Sequence, residues 1–207
     1  MDIKAVTRGL DPQRLEEAYR SGLFPMYDGG SGWITWHRPA RRAIMPLDGF
    51  HVSRSLRQTL RKGGFRVSVN EAFDAVMAEC ADRPGEGTWI NDEFRRVYGA
   101  WNRQGKAHSV EVWVEGQLAG GVYGVHLGGA FFAESKFHRV RDMSKVALAC
   151  LVDGLRENGF ALLDVQYLTP HLARLGAVEV PHRRYAELLK EALQLHCRFS
   201  GFGKLQV

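Results

Sequence analysis

Two strand ends in this sequence carry side chains that could do chemistry. LLDVQ (162–166) sets Asp164 and Gln166 two residues apart. In a strand that spacing turns both side chains to one face, and the leucines before them make it a partly buried face. A carboxylate there needs partners or a task; a structural hydrogen-bond network and a functional pair fit equally. Glu134 follows AFFA and precedes Ser135-Lys136-Phe137, a second carboxylate at a strand end. Its plain reading is a local pairing with Lys136 or Arg139. Arg54, Arg57 and Arg61 share one helical face beside Lys62, and Arg139, Arg141 and Lys145 form a second cationic group. Both groups read either as solvated faces or as contacts to an RNA backbone. Tyr19, Phe24, Trp33, Trp36 and Trp89 are able to stack on unpaired bases, with core packing the default for each.

Several other chemistries have no residues to run them. The eight histidines contain no HExxH or HxH, and Cys80, Cys150 and Cys197 are too scattered for CxxC. No GxSxG elbow and no phosphate loop occurs, so neither a metal nor a cofactor is expected. Arg156 to Ala161 matches the RxxGxA pattern of acyl-CoA binding, but Gly159 there ends a helix and leads into a strand. Phosphate would need it to open one, so a helix C-cap is the preferred reading.

The elements that must hold these residues alternate along the chain. DPQRLEEAYR (11–20) begins a helix with an Asp cap and Pro next to it. SGLFPMYDGGSGW (21–33) reads as a structured loop, and AIMPL (43–47) as a short strand. Residues 51–64 form a helix capped by Ser53 and stopped by Gly63-Gly64, followed by the strand FRVSV (65–69). Asn70 is placed to cap the next helix, and another runs from Asn91 to Gly105. Residues 109–135 carry the clearest strand pattern, broken at Glu115-Gly116 and Gly128-Gly129. A helix from Asp142 or Ser144 to Asn158 precedes strand 160–166, and short helical pieces finish the chain. The whole predicts a mixed α/β (α+β) fold.

The chain has 207 residues, a formal net charge of +5, 45% hydrophobic and 25% charged residues. That composition supports a packed core, not a disordered chain. It permits contact with a polyanion without demanding one. No apolar run is long enough for a membrane span, and residues 1–15 lack a signal-peptide core. Unpaired thiols then fit a reduced compartment, and a cytoplasmic location is expected.

Ten strings in order carry a resemblance. They are GLFP (22–25), HVSRSLR (51–57), GTWI (87–90), AHSVEVW (107–113), GGVYGV (120–125), FFAES-F (131–137), SKVAL (144–148), LLDVQ (162–166), HLARLGAVEV (171–180) and Pro181–Tyr185. Together they resemble the leucyl/phenylalanyl-tRNA–protein transferase family over residues 15–190. The resemblance implies a small N-terminal domain, residues 1–42, and a catalytic domain of N-acetyltransferase (GNAT) type, residues 43–207, with a mixed, largely antiparallel sheet. It implies an enzyme that moves Leu, Phe or Met from aminoacyl-tRNA to the N-terminal α-amine of proteins beginning with Lys or Arg, marking them for degradation. It implies no cofactor, no membrane partner and a monomer. Asp164 and Gln166 match the family's catalytic pair, Glu134 the carboxylate at the aminoacyl end, Trp89 and Tyr19 positions at the terminal adenosine or pocket entrance, and Phe131 a wall of the side-chain pocket. Arg54, Arg57 and Arg61 lie on the helix following the region where the family's basic residues are expected to meet tRNA, and with Lys62 they are the expected tRNA-binding residues. Glu134 and Asp164 are the candidates to receive the acceptor's cationic first side chain. Two substrate-binding positions depart from the family: Met26 stands where it has Trp, and Lys136 where it has Met. His138 replaces a Ser in the same motif. A lysine in that wall must stay hydrated or paired. Altered donor specificity is therefore one alternative, and an acyl-CoA-dependent GNAT acyltransferase is another.

Overall fold

The computed structural model describes residues 2–82 and 88–200. Gly87 of the GTWI string and residues 201–207 of the expected catalytic domain lie outside the described residues.

Residues 3–37 hold a three-stranded antiparallel sheet, β1 (Ile3–Thr7), β2 (Phe24–Asp28) and β3 (Trp33–His37), in the order β1-β3-β2. Helix α1 (Pro12–Arg20) sits between β1 and β2; Asp11 caps it by accepting from the Arg14 N–H. The expected loop at 21–33 instead contains a strand, β2, and the first residue of β3. Three of its four glycines, Gly29, Gly30 and Gly32, fall in the β2–β3 turn, where Asp28 accepts from Gly30 N–H and the Ser31 hydroxyl. A five-residue hairpin arm with Pro25 in it carries too little periodicity to be read against that much glycine.

The second sheet has seven strands in the order β10-β4-β9-β8-β7-β6-β5. These are β4 (Arg41–Ile44), β5 (Arg66–Val69), β6 (Ala107–Val114), β7 (Gln117–Leu127), β8 (Ala130–His138), β9 (Leu162–Gln166) and β10 (Val178–Pro181). All pairings are antiparallel except β8 with β9. This is the mixed, largely antiparallel sheet of the expected α/β fold. Helices α2 (Arg54–Lys62), α3 (Phe73–Ala81), α4 (Asp92–Arg103), α5 (Met143–Glu157), α6 (Pro170–Arg174) and α7 (His182–Ala192) cover it. Among the described residues, no helix is long and apolar enough to cross a membrane.

Local chemistry explains most boundaries. Ser53 accepts from Leu56 N–H and starts α2, and Gly63 at φ 64° ends it. Gly159, at φ 74°, closes α5, with Phe160 N–H bonded back to Leu155 O, a C-cap as expected. Asn70 is not the cap of α3. It adopts φ 57°, its side chain accepts from Ser109 N–H and meets His108, and Ala72 stands at the cap position. A nearby strand offered Asn70 a tertiary partner, which outweighed the local one. Strand β10 was unforeseen; it is a short edge strand ending in Pro.

Two apolar clusters flank the large sheet. One joins the N-terminal sheet to it: Leu15, Tyr19, Phe24 and Ile34 pack with Phe94, Tyr98, Phe132 and Tyr185. The other lies under α5 and α2, with Leu56 and Leu60 against Val146, Leu151 and Leu155.

Candidate active site

The register of β8 and β9 opens the site. These parallel strands pair from Ala130↔Leu162 to Phe132↔Asp164 and no further. Beyond that point a cavity of ≈ 300 Å³ lies between them, lined by Glu134 and Lys136 from β8 and Val165 and Gln166 from β9. The carboxyl ends of parallel strands are where α/β sheets commonly receive ligands. Val122, Leu148 and Leu172 give the cavity an apolar wall, and Phe24, Met26, Trp89 and Tyr167 surround it from other elements.

Glu134 reaches this cavity because it is the extra residue of a β-bulge. Tyr123 pairs with Ser135 and Gly124 with Ala133, which leaves Glu134 without a partner on β7. A bulge bends its strand and re-aims a side chain. Gly124 permits it: a Cβ there would lie 2.1 Å from Phe132 O. The Glu134 carboxyl accepts from Gln166 Nε2 at 3.2 Å and is hydrogen-bonded by Tyr19. Burial pushes its pKa up to about 8; Tyr19 and Arg42 pull downward, and the Asp164 charge pushes the same way as burial.

Asp164 has the opposite surroundings. It is fully buried and is closed off from the cavity by partners. Arg42 Nε donates to Oδ1 and Oδ2 at 2.9 and 3.1 Å, and Arg42 Nη2 donates to Oδ2 at 2.7 Å. The Tyr185 hydroxyl donates to Oδ2 at 2.6 Å and Gln166 N–H to Oδ1 at 2.9 Å. Arg42 is itself buried; its Nη1 donates to Gly22 O, and its guanidinium lies between the rings of Phe24 and Tyr185. Burial opposes the Arg42 charge, yet Asp164 beside it raises the Arg42 pKa. The clamp thus ties the N-terminal sheet and α7 to β9.

The expectation that Asp164 and Gln166 share one face fails for a backbone reason. Gln166 adopts φ 58°, the left-handed region, so strand alternation stops there. Consecutive residues Val165 and Gln166 both line the cavity, while Asp164 points into the Arg42 clamp. Asp164 is consequently unavailable to an acceptor's cationic side chain.

The other expected residues divide. Met26, Trp89, Glu134, Lys136 and Gln166 come together around the cavity. Tyr19 is fully buried, its hydroxyl 2.6 Å from that of Tyr98, so it supports Glu134 from behind and does not form an entrance. Phe131 is buried in the core, stacked with Phe199, and lies outside the cavity lining. The plain pairing of Glu134 with Arg139 does not form; Arg139 binds Glu79 at 2.6 Å. Arg54, Arg57, Arg61 and Lys62 are exposed on α2, opposite the leucines that pack on α5. Arg42, Tyr98 and Tyr185 went unseen in the sequence. A buried Asp164 implied a cation somewhere, but nothing distinguished Arg42 from its neighbours.

Comparisons with known proteins agree with this geometry. A leucyl/phenylalanyl-tRNA protein transferase family model matches residues 44–190, and the model of that family's N-terminal domain matches residues 8–40. The chain is 52% identical to a leucyl/phenylalanyl-tRNA–protein transferase of Ruegeria pomeroyi, over 89% of this chain and 87% of that one. It is 50% identical to the one from Rubrobacter xylanophilus, over 92% and 99%. Among solved structures, FemX superposes with a TM-score of 0.53 at 13% identity, over 81% of this chain and 66% of that one, a likeness of fold. The chain belongs to the leucyl/phenylalanyl-tRNA–protein transferase family.

Proposed function

We propose that this aminoacyltransferase moves an apolar amino acid, Leu, Phe or Met, from aminoacyl-tRNA to the N-terminal α-amine of proteins beginning with Lys or Arg. On this reading it acts in the cytoplasm as a monomer, with residues 1–42 and 43–207 as its two units, and its products are marked for degradation. The observation that carries the proposal is a carboxyl and an amide converging on an apolar cavity: Glu134 and Gln166 beside Val122, Leu148 and Leu172.

The reaction is aminolysis of an ester. The amine nitrogen attacks the ester carbonyl, a C–N bond forms, the C–O bond to the ribose breaks, and the amine loses a proton. An α-amine has a reference pKa of about 8. Glu134, held at about 8, is matched to it, so proton transfer between them is nearly level in energy. Gln166 is placed to orient the ester or donate to its developing oxyanion. The departing ribose oxygen can take a proton from its neighbouring hydroxyl, which regains one from Glu134, so that the amine's proton ends on the ribose. Holding amine and ester together supplies much of the remaining acceleration. Asp164 acts through others: clamped by Arg42, it fixes the Gln166 backbone and is a positioning residue.

The test is a peptide beginning with Arg, incubated with a mixture of charged tRNAs and read by mass spectrometry. Addition of Leu, Phe or Met is expected, and much less on the same peptide beginning with Ala. An unmodified Arg peptide with every charged tRNA would overturn the proposal.

A further inference from the structure

Next to the apolar cavity lies a second one of ≈ 680 Å³, and Lys136 lines both. Its other cations are Arg141 and Lys145, with His138 and His171 beside them. Three carboxylates also line it, but two are already engaged. Asp142 takes Lys145 at 2.7 Å and Arg141 at 3.8 Å, and Glu79 takes Arg139; Asp82 is the third. With Glu79 paired to Arg139, the cations Lys136, Arg141 and Lys145 face Asp142 and Asp82, an excess of one positive charge. His171 is held below its ordinary pKa first by burial, then by Lys136, Lys145, Arg174 and His138. Because His171 borders only the second of the two cavities, the Lys136 charge is felt there, while Lys136 also walls the first.

A lysine can divide itself in this way. Its methylene stem covers apolar surface while the ammonium stays in a polar space. An apolar donor side chain in the first cavity would then meet the stem, with the charge directed to the second. A nucleic-acid strand ending in the first cavity must continue past its terminal ribose, and each step carries a phosphate. Resting on the reading of function above, we infer that the second cavity receives a phosphodiester of the donor's single-stranded 3′ end, with Lys136 and Arg141 as its cations. Lys136 thereby serves both the amino acid and the RNA, and its presence in the pocket wall is compatible with an apolar donor.

Three leucine donors test this: leucyl-adenosine, which has no phosphate; a leucyl-trinucleotide of the tRNA 3′ sequence, which has phosphodiesters but no stem; and whole leucyl-tRNA. The quantity read is the ratio of kcat/KM for the trinucleotide to that for leucyl-adenosine. Lys136→Met is expected to lower this ratio about tenfold and to flatten the salt dependence of the trinucleotide by about 0.7 in log–log slope. Lys136→Arg is expected to restore most of the ratio. Arg141 is exposed, and Arg141→Ala is expected to leave the fold intact and lower the ratio about threefold. Arg57→Ala on α2 should instead act on whole tRNA alone. An unchanged ratio in both Lys136→Met and Arg141→Ala would overturn the inference, as would equal losses with all three donors. Absence of transfer by the unmodified protein from every donor would overturn the functional reading instead.

Discussion

Asp164 and Glu134 occupy the same strand joint in opposite states. Asp164 has a guanidinium, a phenol and a backbone N–H on its oxygens and no opening to the cavity. Glu134, two residues past the end of the β8–β9 register, has an amide and a buried tyrosine and lines the cavity. The first is a charge neutralised in place, so it holds structure. The second is a carboxyl whose ionisation burial makes difficult, so it can exchange a proton near neutral pH. Proximity to a site therefore does not make a carboxylate a proton acceptor; the counter-charge decides.

The largest expected effect comes from breaking the closed side. Arg42→Met leaves Asp164 buried without its cation and should cost about 3–5 kcal/mol in urea denaturation. Arg42→Met with Asp164→Leu should recover most of that stability, since an apolar pair replaces a buried ion pair at little net cost. Recovered stability without recovered transfer would show that the clamp serves geometry.

On the open side, Glu134→Gln should leave the fold intact and lower single-turnover transfer about 10²–10³-fold. Its effect on stability has a definite sign. The folded protein holds the Glu134 proton up to about pH 8, whereas the unfolded chain releases it near the ordinary value of 4.5. Stability contributed by the protonated form is present at low pH and declines as pH rises between these values. Denaturation at pH 5 and pH 8 should therefore show Glu134→Gln gaining on the unmodified protein as pH rises.

Gln166→Gly separates stability from function at the residue that joins the two carboxylates. Glycine relieves the φ 58° conformation and should stabilise by about 1 kcal/mol, while transfer falls about tenfold for lack of the amide. The smallest effect is far from both. Arg57→Ala should change stability by less than about 0.5 kcal/mol and reduce the log–log salt slope of tRNA binding by about 1.

Much of this architecture was legible in the chain. Ser53, Asn91 and Gly159 mark helix ends through local hydrogen bonds and positive φ, and the structure uses each as such. Short alternating runs located β6 to β8, and a buried apolar run located β9. Short strands were harder: β1 and β10 have four or five residues with largely exposed side chains, and Asn70 was drawn from its expected cap by a neighbouring strand. At the site, residue types pointed to Asp164, Gln166 and Glu134, but their division of labour was not readable. It depends on a bulge that skips Glu134, a left-handed Gln166, and Arg42 arriving from 122 residues away. None of these leaves a periodic or compositional trace.

The central claim is that Glu134 takes the proton and Asp164 does not. Single-turnover transfer to an Arg-initiated peptide, followed from pH 6 to 8 in the unmodified protein and in Glu134→Gln, tests it most directly. Two groups, the acceptor amine and Glu134, must both be deprotonated. The logarithm of the second-order rate should thus approach a slope of about 2 against pH, falling to about 1 in Glu134→Gln. A Glu134→Gln enzyme that keeps the unmodified rate and slope would contradict the account.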